Sequence, residues 1–86
     1  MQKLKLIGII FDKDENIEWK RETLLWTEGE YICRQITDTA NRTRHPNGKV
    51  DRFKAESIAE IYTKVVKVER EHLEYHCDKI EEIEIS

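Results

Sequence analysis

A change of hydrophobic period near residue 52 divides this chain into two parts and limits its possible folds more than any other pattern. Before that point, apolar and β-branched residues occur in short runs separated by polar, turn-forming segments, as they do in the strands of a sheet. After it, apolar residues recur at spacings close to 3.6, and no Gly or Pro interrupts residues 53–86. The sequence therefore predicts an α+β fold in which an antiparallel sheet precedes one long helix.

Three strands are predicted in the first part. The segment KLKLIGIIF at 3–11 alternates at first and then becomes continuously apolar, which suits a central strand. A second extended stretch at 17–26 follows the polar turn DKDEN, and YICRQITDT at 31–39 follows the turn TEGE. A helix over 30–41 is the open alternative for the third strand. We expect three or four strands within residues 3–53.

The segment RTRHPNGKVDRFK at 42–54 holds the only Pro of the chain and an Asn-Gly pair, which is the strongest short signal for a tight hairpin turn. We predict a basic hairpin over 42–54 that lies at a sheet edge or protrudes, because Pro46 cannot donate a strand hydrogen bond. The two arms would present their cations together to phosphates. The candidate nucleic-acid-binding residues are Arg42, Arg44, Lys49, Arg52 and Lys54.

Residues 47–61, NGKVDRFKAESIAEI, resemble the wing-to-helix junction of MerR-type and excisionase-type DNA-binding domains. In those families a basic two-stranded turn ends in an aromatic residue and leads into a helix, so the resemblance implies nucleic acid as a partner. Upstream, where those families have a helix–turn–helix, this sequence has strand-like segments. The chain is therefore not assigned to either family.

The helix is predicted from about Lys54 to about Asp78. Because KVVKVE at 64–69 is rich in β-branched residues, a strand that continues through Cys77 is the open alternative. The tail IEEIEIS alternates Ile with Glu and predicts a short edge strand. All of these elements fit one domain of 86 residues, with the sheet in 1–53 and the helix with its acidic end in 54–86.

Charge is unevenly distributed along a chain whose formal net charge is −3. Residues 34–54 carry six basic and two acidic side chains, whereas residues 69–86 carry seven acidic and two basic ones. An acidic helix face of this kind can bind a basic protein surface, although it also suits an ordinary solvated face. The candidate protein-binding residues are Glu71, Glu74, Asp78, Glu81 and Glu82.

Neither a metal, another cofactor nor an enzymatic activity is predicted. His72, His76 and Cys77 are the best metal-ligand candidates, but no Cys-x-x-Cys element accompanies them, and Cys77 falls on the apolar stripe of the helix. The DKDEN segment begins like a calcium loop but has Ile17 where that loop requires Gly. A nucleophile built from Cys33 or Cys77 with a histidine would need an orienting group and a pocket, which a thin domain of this size rarely has.

We expect a small non-enzymatic binding or regulatory protein that acts through protein–protein contact. Short, Lys-, Glu- and Ile-rich domains are similar in composition to the small accessory proteins of phages and mobile elements, including inhibitors of host systems. The alternative is a nucleic-acid-binding protein that uses the 42–54 hairpin. The expected partner is an unidentified protein, with a homodimer and nucleic acid also open and no membrane partner. Two cysteines without a secretory signal predict reduced thiols and a cytoplasmic location.

Overall fold

The structure is a computed structural model that describes residues 2–40, 43–46 and 49–85, with 43–46 described by their backbone alone. Its first three strands are β1 Lys3–Phe11, β2 Ile17–Glu28 and β3 Tyr31–Ala40, which pair antiparallel in sequence order. The three predicted strands are thereby confirmed. The helical alternative for 30–41 is wrong, because this β-branched segment pairs with β2 along its whole length.

Polar turns connect these strands, as the sequence predicts. The Asp12 carboxylate accepts hydrogen bonds from the backbone N–H groups of Asp14 and Asn16, at 2.8 and 3.0 Å. Glu15 completes the first turn with a φ of 64°. Gly29 begins the turn into β3 with a φ of 62°, a conformation that glycine adopts without steric cost. The DKDEN segment is therefore a turn whose leading carboxylate binds its own backbone.

Two short strands lie end to end along the outer edge of β3. β4 Thr43–Pro46 and β5 Asp51–Lys54 both run antiparallel to β3, the former beside residues 37–40 and the latter beside 31–34. The predicted hairpin over 42–54 is therefore wrong, because its two arms run in the same direction and pair with β3 rather than with each other. β4 instead pairs with β3 from Ala40 opposite Thr43 onward, and residues 41, 42, 47 and 48 lie outside the described residues.

The second part of the chain forms helix α1 Ile58–His76 and strand β6 Lys79–Glu84. The long helix and the edge strand are confirmed, and the strand alternative for 64–77 is wrong. Because Cys77 has extended backbone, with a φ of −110° and a ψ of 150°, the helix ends before Asp78. Within the described residues α1 is the single helix, so no helix–turn–helix precedes it there.

The sheet has the order β4-β3-β2-β1-β6, with β5 beside β3, so that six strand segments occupy five positions. The first part of the chain supplies four of these positions, and β6 adds the fifth by pairing with β1. Helix α1 crosses one face of this sheet. No described helix has the length and apolar character needed to cross a membrane.

The core lies between α1 and the face of the sheet that it covers. Tyr62 anchors the helix there, since its hydroxyl donates a hydrogen bond to the backbone carbonyl of Leu25 at 3.1 Å. Gly8 permits close approach, because a Cβ at that position would lie 2.6 Å from Cys77 Sγ and 2.8 Å from Leu73 Cδ2. The buried members of the core are Leu4, Leu6, Leu25, Ile32, Tyr62, Val66 and Leu73.

Arg34 connects three elements at the margin of this core. Its guanidinium donates to Glu69 on α1 at 2.5 Å and to Asp51 on β5 at 3.2 Å. The hydrogen bond with Glu69 is the main reason that the pKa of Arg34 is raised. The ion pairs therefore hold β5 and the middle of α1 against β3.

Candidate protein-binding groove

A groove of about 650 Å³ runs between α1 and the helix-facing side of β6. Apolar side chains contribute to its surface, namely Leu4, Tyr62, Val66 and Ile85. Charged residues from three elements line it as well, namely Glu71, Glu74, Lys67 and Arg70 from α1, Glu82 and Glu84 from β6 and Lys3 from β1. The groove therefore combines an apolar floor with walls that carry four carboxylates and three cations.

The local geometry of each element explains why these carboxylates converge. Glu71 and Glu74 are three residues apart, so they share one side of the helix. Glu82 and Glu84 are two residues apart on a strand and lie opposite Leu6 and Leu4 of β1, whose side chains are in the core. Both β6 carboxylates therefore point to the side of the sheet on which α1 lies.

Part of this acidic charge is compensated within the groove. Arg70 pairs with Glu82 across it, with Nε 3.0 Å from Oε1, and Lys67 Nζ lies 4.0 Å from Glu71. Glu74 and Glu84 have no ion pair among the described side chains. Because exposed ion pairs contribute at most about 1 kcal/mol, a basic ligand can replace Arg70 and Lys67 at little cost.

The outer backbone edge of β6 borders the same groove. Among the described strands β6 pairs with β1 alone. The N–H of Ile85 donates to the carbonyl of Lys3 at 2.8 Å, and antiparallel hydrogen bonding alternates along a strand. The backbone N–H groups of Glu82 and Glu84 therefore point away from β1 and toward the free edge.

The predicted acidic site is assembled only in part. Glu71, Glu74 and Glu82 meet in the groove, as described above. Asp78 instead follows the helix, where its Oδ2 accepts a hydrogen bond from the Phe11 N–H at 2.9 Å. The prediction of one acidic helix face is wrong, because α1 ends at His76, Asp78 lies in the bend that follows it, and Glu81 and Glu82 lie on β6.

Strand alternation separates Glu81 from its neighbours and adds a residue that the sequence interpretation missed. Glu81 lies on the opposite face of the sheet, with Oε1 3.1 Å from Lys79 Nζ. Glu84 takes its place in the groove. The signal for Glu84 was present in the sequence, since the alternation of IEEIE places Glu82 and Glu84 on one side of a strand.

The basic candidates do not form one cluster at a hairpin tip. Arg52 and Lys54 lie on β5, where Arg52 is 3.4 Å from Glu28 and Lys54 is 3.2 Å from Glu30. Lys49 is exposed before β5. Arg42 and the side chain of Arg44 fall outside the described part of the chain.

The two cysteines are not brought together, and His72 and His76, whose ring centres are 4.6 Å apart, meet each other on α1. Cys77 faces Gly8 on the covered side of the sheet, whereas Cys33 lies opposite Trp26 on the other side. Burial raises the pKa of the Cys77 thiol, which Arg21 partly offsets. His72 and His76 are exposed on α1. No group of three or more His, Cys, Asp and Glu residues suited to a metal occurs among the described residues.

Comparison of the chain with protein-family models, with curated proteins and with solved structures finds no significant match. Function is therefore inferred from the geometry and chemistry of the described surfaces. Of the sites predicted from sequence, the acidic one is the better assembled, because three of its five residues line a single groove.

Proposed function

We propose that this protein is a small, cytoplasmic, non-enzymatic binding or regulatory protein that takes an extended basic segment of another protein into the groove between α1 and β6. The observation that supports this proposal is the coincidence of three features at one place. An acidic wall, an apolar floor and an unpaired strand edge all border the same groove.

Strand addition is the binding mode that uses all three features. A partner segment beside β6 would form backbone hydrogen bonds with the outward-pointing groups of Glu82 and Glu84, which supply affinity without regard to sequence. Its alternate side chains would enter the groove, so that Lys or Arg meets Glu74 and Glu84 while an apolar residue contacts Val66. The partner is therefore a basic segment with alternating character.

The charges of β6 also select against the wrong partner. Sheet edges that carry charged side chains resist pairing with a second copy of themselves. Glu81, Glu82 and Glu84 would face like charges in such a pair, whereas a basic segment would neutralise them. An accessory or inhibitor role of the kind found among phage and mobile-element proteins fits this mode, because blocking a partner requires contact rather than chemistry.

The charge of the groove is tested by affinity capture from a nuclease-treated host lysate. The double variant Glu74→Lys with Glu84→Lys should lose a protein that the unchanged chain retains. The matched control is Glu15→Lys with Glu18→Lys, which makes the same charge change at exposed positions of the first turn and β2. If both double variants still capture the protein, or if both fail to capture it, the groove is not the binding site.

The unpaired edge is tested at Glu84 by two single substitutions. Both Glu84→Gln and Glu84→Pro remove the charge, but only Pro removes the outward N–H. Strand addition therefore requires a larger loss of the captured partner for Pro than for Gln. Equal losses, with both variants folded by circular dichroism, would assign binding to side chains alone.

Nucleic-acid binding through a protruding hairpin is not proposed. The two arms of 42–54 lie along β3, so no described part of that segment forms a two-stranded finger. Arg52 and Lys54 instead extend the uncovered face of the sheet.

A further inference from the structure

The face of the sheet opposite α1 carries a second surface, which we call the open face. Side chains alternate between the two sides of a sheet, so every second residue of each strand lies on this face. These are the odd-numbered residues of β3, of β6 and of 3–9 in β1. On β5 and on 20–28 of β2 they are the even-numbered residues. The core residues beneath α1 all lie on the other side, although Ile9 and Cys33 on the open face are also buried. No described element packs against this face, so it is available to a ligand.

The open face is basic although the whole chain is acidic. Its described acidic side chains are Glu22, Glu28 and Glu81. Its described basic side chains are twice as many, namely Lys3, Lys5, Lys20, Arg52, Lys54 and Lys79. The open face therefore has a net positive charge, whereas the side of the sheet that carries α1 and its groove has a net negative charge. An anionic ligand is attracted to the open face.

Two of these cations, both near the start of β1, have no carboxylate partner among the described residues. They are Lys3 and Lys5, and both are half-buried. The register places Lys5 between Leu24 of β2 and Ile83 of β6, and it places Lys3 opposite Trp26. An ammonium group held among apolar side chains is stabilised by an anion that docks on the same face.

Aromatic side chains lie beside these cations. Trp26 is half-buried between Lys3 and Cys33, in the row of residues that ends at Arg52. Tyr31 is 41% exposed, and the Arg52 guanidinium carbon lies 5.2 Å from the centre of its ring. Neighbouring strands are about 5 Å apart, so Lys3 lies beside Trp26, and Lys54 lies beside Tyr31.

We propose that the open face binds single-stranded nucleic acid, with bases stacked on Trp26 and Tyr31 and phosphates bound by Lys3, Lys5 and Arg52. Alternating aromatic and basic side chains on an exposed surface are the means by which single strands are bound without strong sequence preference. A duplex fits poorly, because a flat sheet face presents no helix or protruding ribbon to enter a groove. This surface and the acidic walls of the α1–β6 groove lie on opposite sides of the sheet. Lys3 also lines the groove, so the two proposals are separated by Lys5, Trp26, Tyr31 and Arg52, which do not.

The experiment is a fluorescence-anisotropy titration of a fluorescein-labelled oligothymidylate of about 15 nucleotides with the full chain at about 50 mM and 200 mM salt. We expect binding that weakens with salt. The double variant Lys3→Glu with Lys5→Glu should weaken it by about tenfold or more. The matched control, Lys64→Glu with Lys67→Glu, makes the same charge change on exposed positions of α1 and should weaken it by less than about twofold.

A second pair of variants tests stacking without a change of charge. Tyr31→Ala should weaken oligonucleotide binding by about fivefold or more, whereas Tyr75→Ala on α1, where the side chain is 85% exposed, should leave it unchanged. Trp26 fluorescence should be quenched as the oligonucleotide saturates the chain.

Three results would overturn the proposal. They are the absence of an anisotropy change at about 100 μM protein in about 50 mM salt, an equal loss of affinity in both charge variants, and equally tight binding of a polyglutamate peptide. The last result would assign the open face to an acidic protein instead. Circular dichroism of each variant establishes that a loss of binding is not a loss of folding.

Discussion

The two faces of the sheet follow the same alternation of side chains but carry different chemistry. On the face covered by α1, Leu6, Leu25 and Ile32 have no exposed surface. On the open face Ile9 and Cys33 are buried too, but half-buried apolar residues such as Leu24 are interspersed with lysines. Burial beneath the helix accounts for the apolar residues of the covered face. The solvent-facing side of an antiparallel sheet is ordinarily polar, so the apolar residues of the open face are not explained in the same way. The comparison separates residues that hold the fold from residues that are available to a ligand.

The largest expected difference between the faces is at two adjacent leucines. Leu25→Ala should lower the free energy of unfolding by about 2–5 kcal/mol, because it opens a cavity beneath α1. Leu24→Ala, on the open face, should lower it by about 1 kcal/mol or less. Urea denaturation of both variants measures the contrast. Similar losses at the two positions would show that the open face is itself part of a packed core.

A smaller loss is expected where the helix approaches the sheet most closely. Gly8→Ala should cost about 1–3 kcal/mol, because the added methyl group meets Cys77 Sγ and Leu73 Cδ2 and forces the end of α1 outward. Gly29→Ala is the comparison, since a methyl group there meets nothing within 4 Å but must adopt a φ of +62°, at a cost of about 1 kcal/mol. Thermal unfolding should therefore show the larger decrease in Tm for Gly8→Ala.

The smallest expected effect at neutral pH comes from the Tyr62 hydroxyl. Tyr62→Phe should cost about 1 kcal/mol through loss of the hydrogen bond to Leu25. Burial, with a further contribution from Glu84 and Glu82, raises the pKa of Tyr62, so the folded chain favours the neutral phenol. The stability that this provides is present below pH of about 10 and is lost as the pH rises through the folded pKa.

The unchanged protein should therefore lose stability above pH of about 10 more steeply than Tyr62→Phe does. Urea denaturation of both proteins between neutral pH and pH of about 11 measures how the free energy of unfolding changes with pH and so tests this prediction. Parallel pH profiles would mean that the hydroxyl is not buried against the covered face.

Local sequence patterns predicted most of the fold because each pattern agreed with the pairing that the chain adopts. The alternation at 3–11 and that of IEEIE match the strands that form, and the helical spacing after residue 52 prevailed over the β-branched stretch at 64–69. The hairpin over 42–54 failed for a physical reason. An Asn-Gly pair favours a tight turn only locally. The outer edge of β3 has backbone groups with which both arms form hydrogen bonds instead of pairing with each other.

The candidate site was predicted less completely because its residues come from two kinds of element. The sequence predicted the edge strand, but the acidic site was drawn across the helix and that strand as if it were one face, so Asp78 and Glu81 were grouped with residues that they do not join. The open face was missed altogether. Lys3 and Lys5 lie far from residues 52–54 in sequence, and only the order of the strands places them on one surface.

The pairing of β6 with β1 joins opposite ends of the described chain, with Glu84 beside Leu4. During synthesis, β1 can pair with β2 as soon as both have emerged, but its other edge stays without a partner until residues 79–84 follow α1 out of the ribosome. An unpaired apolar strand such as LIGII is a template for association with other chains in that interval. Lysines on an unpaired strand disfavour such association, so we expect Lys3 and Lys5 to reduce aggregation of the nascent chain.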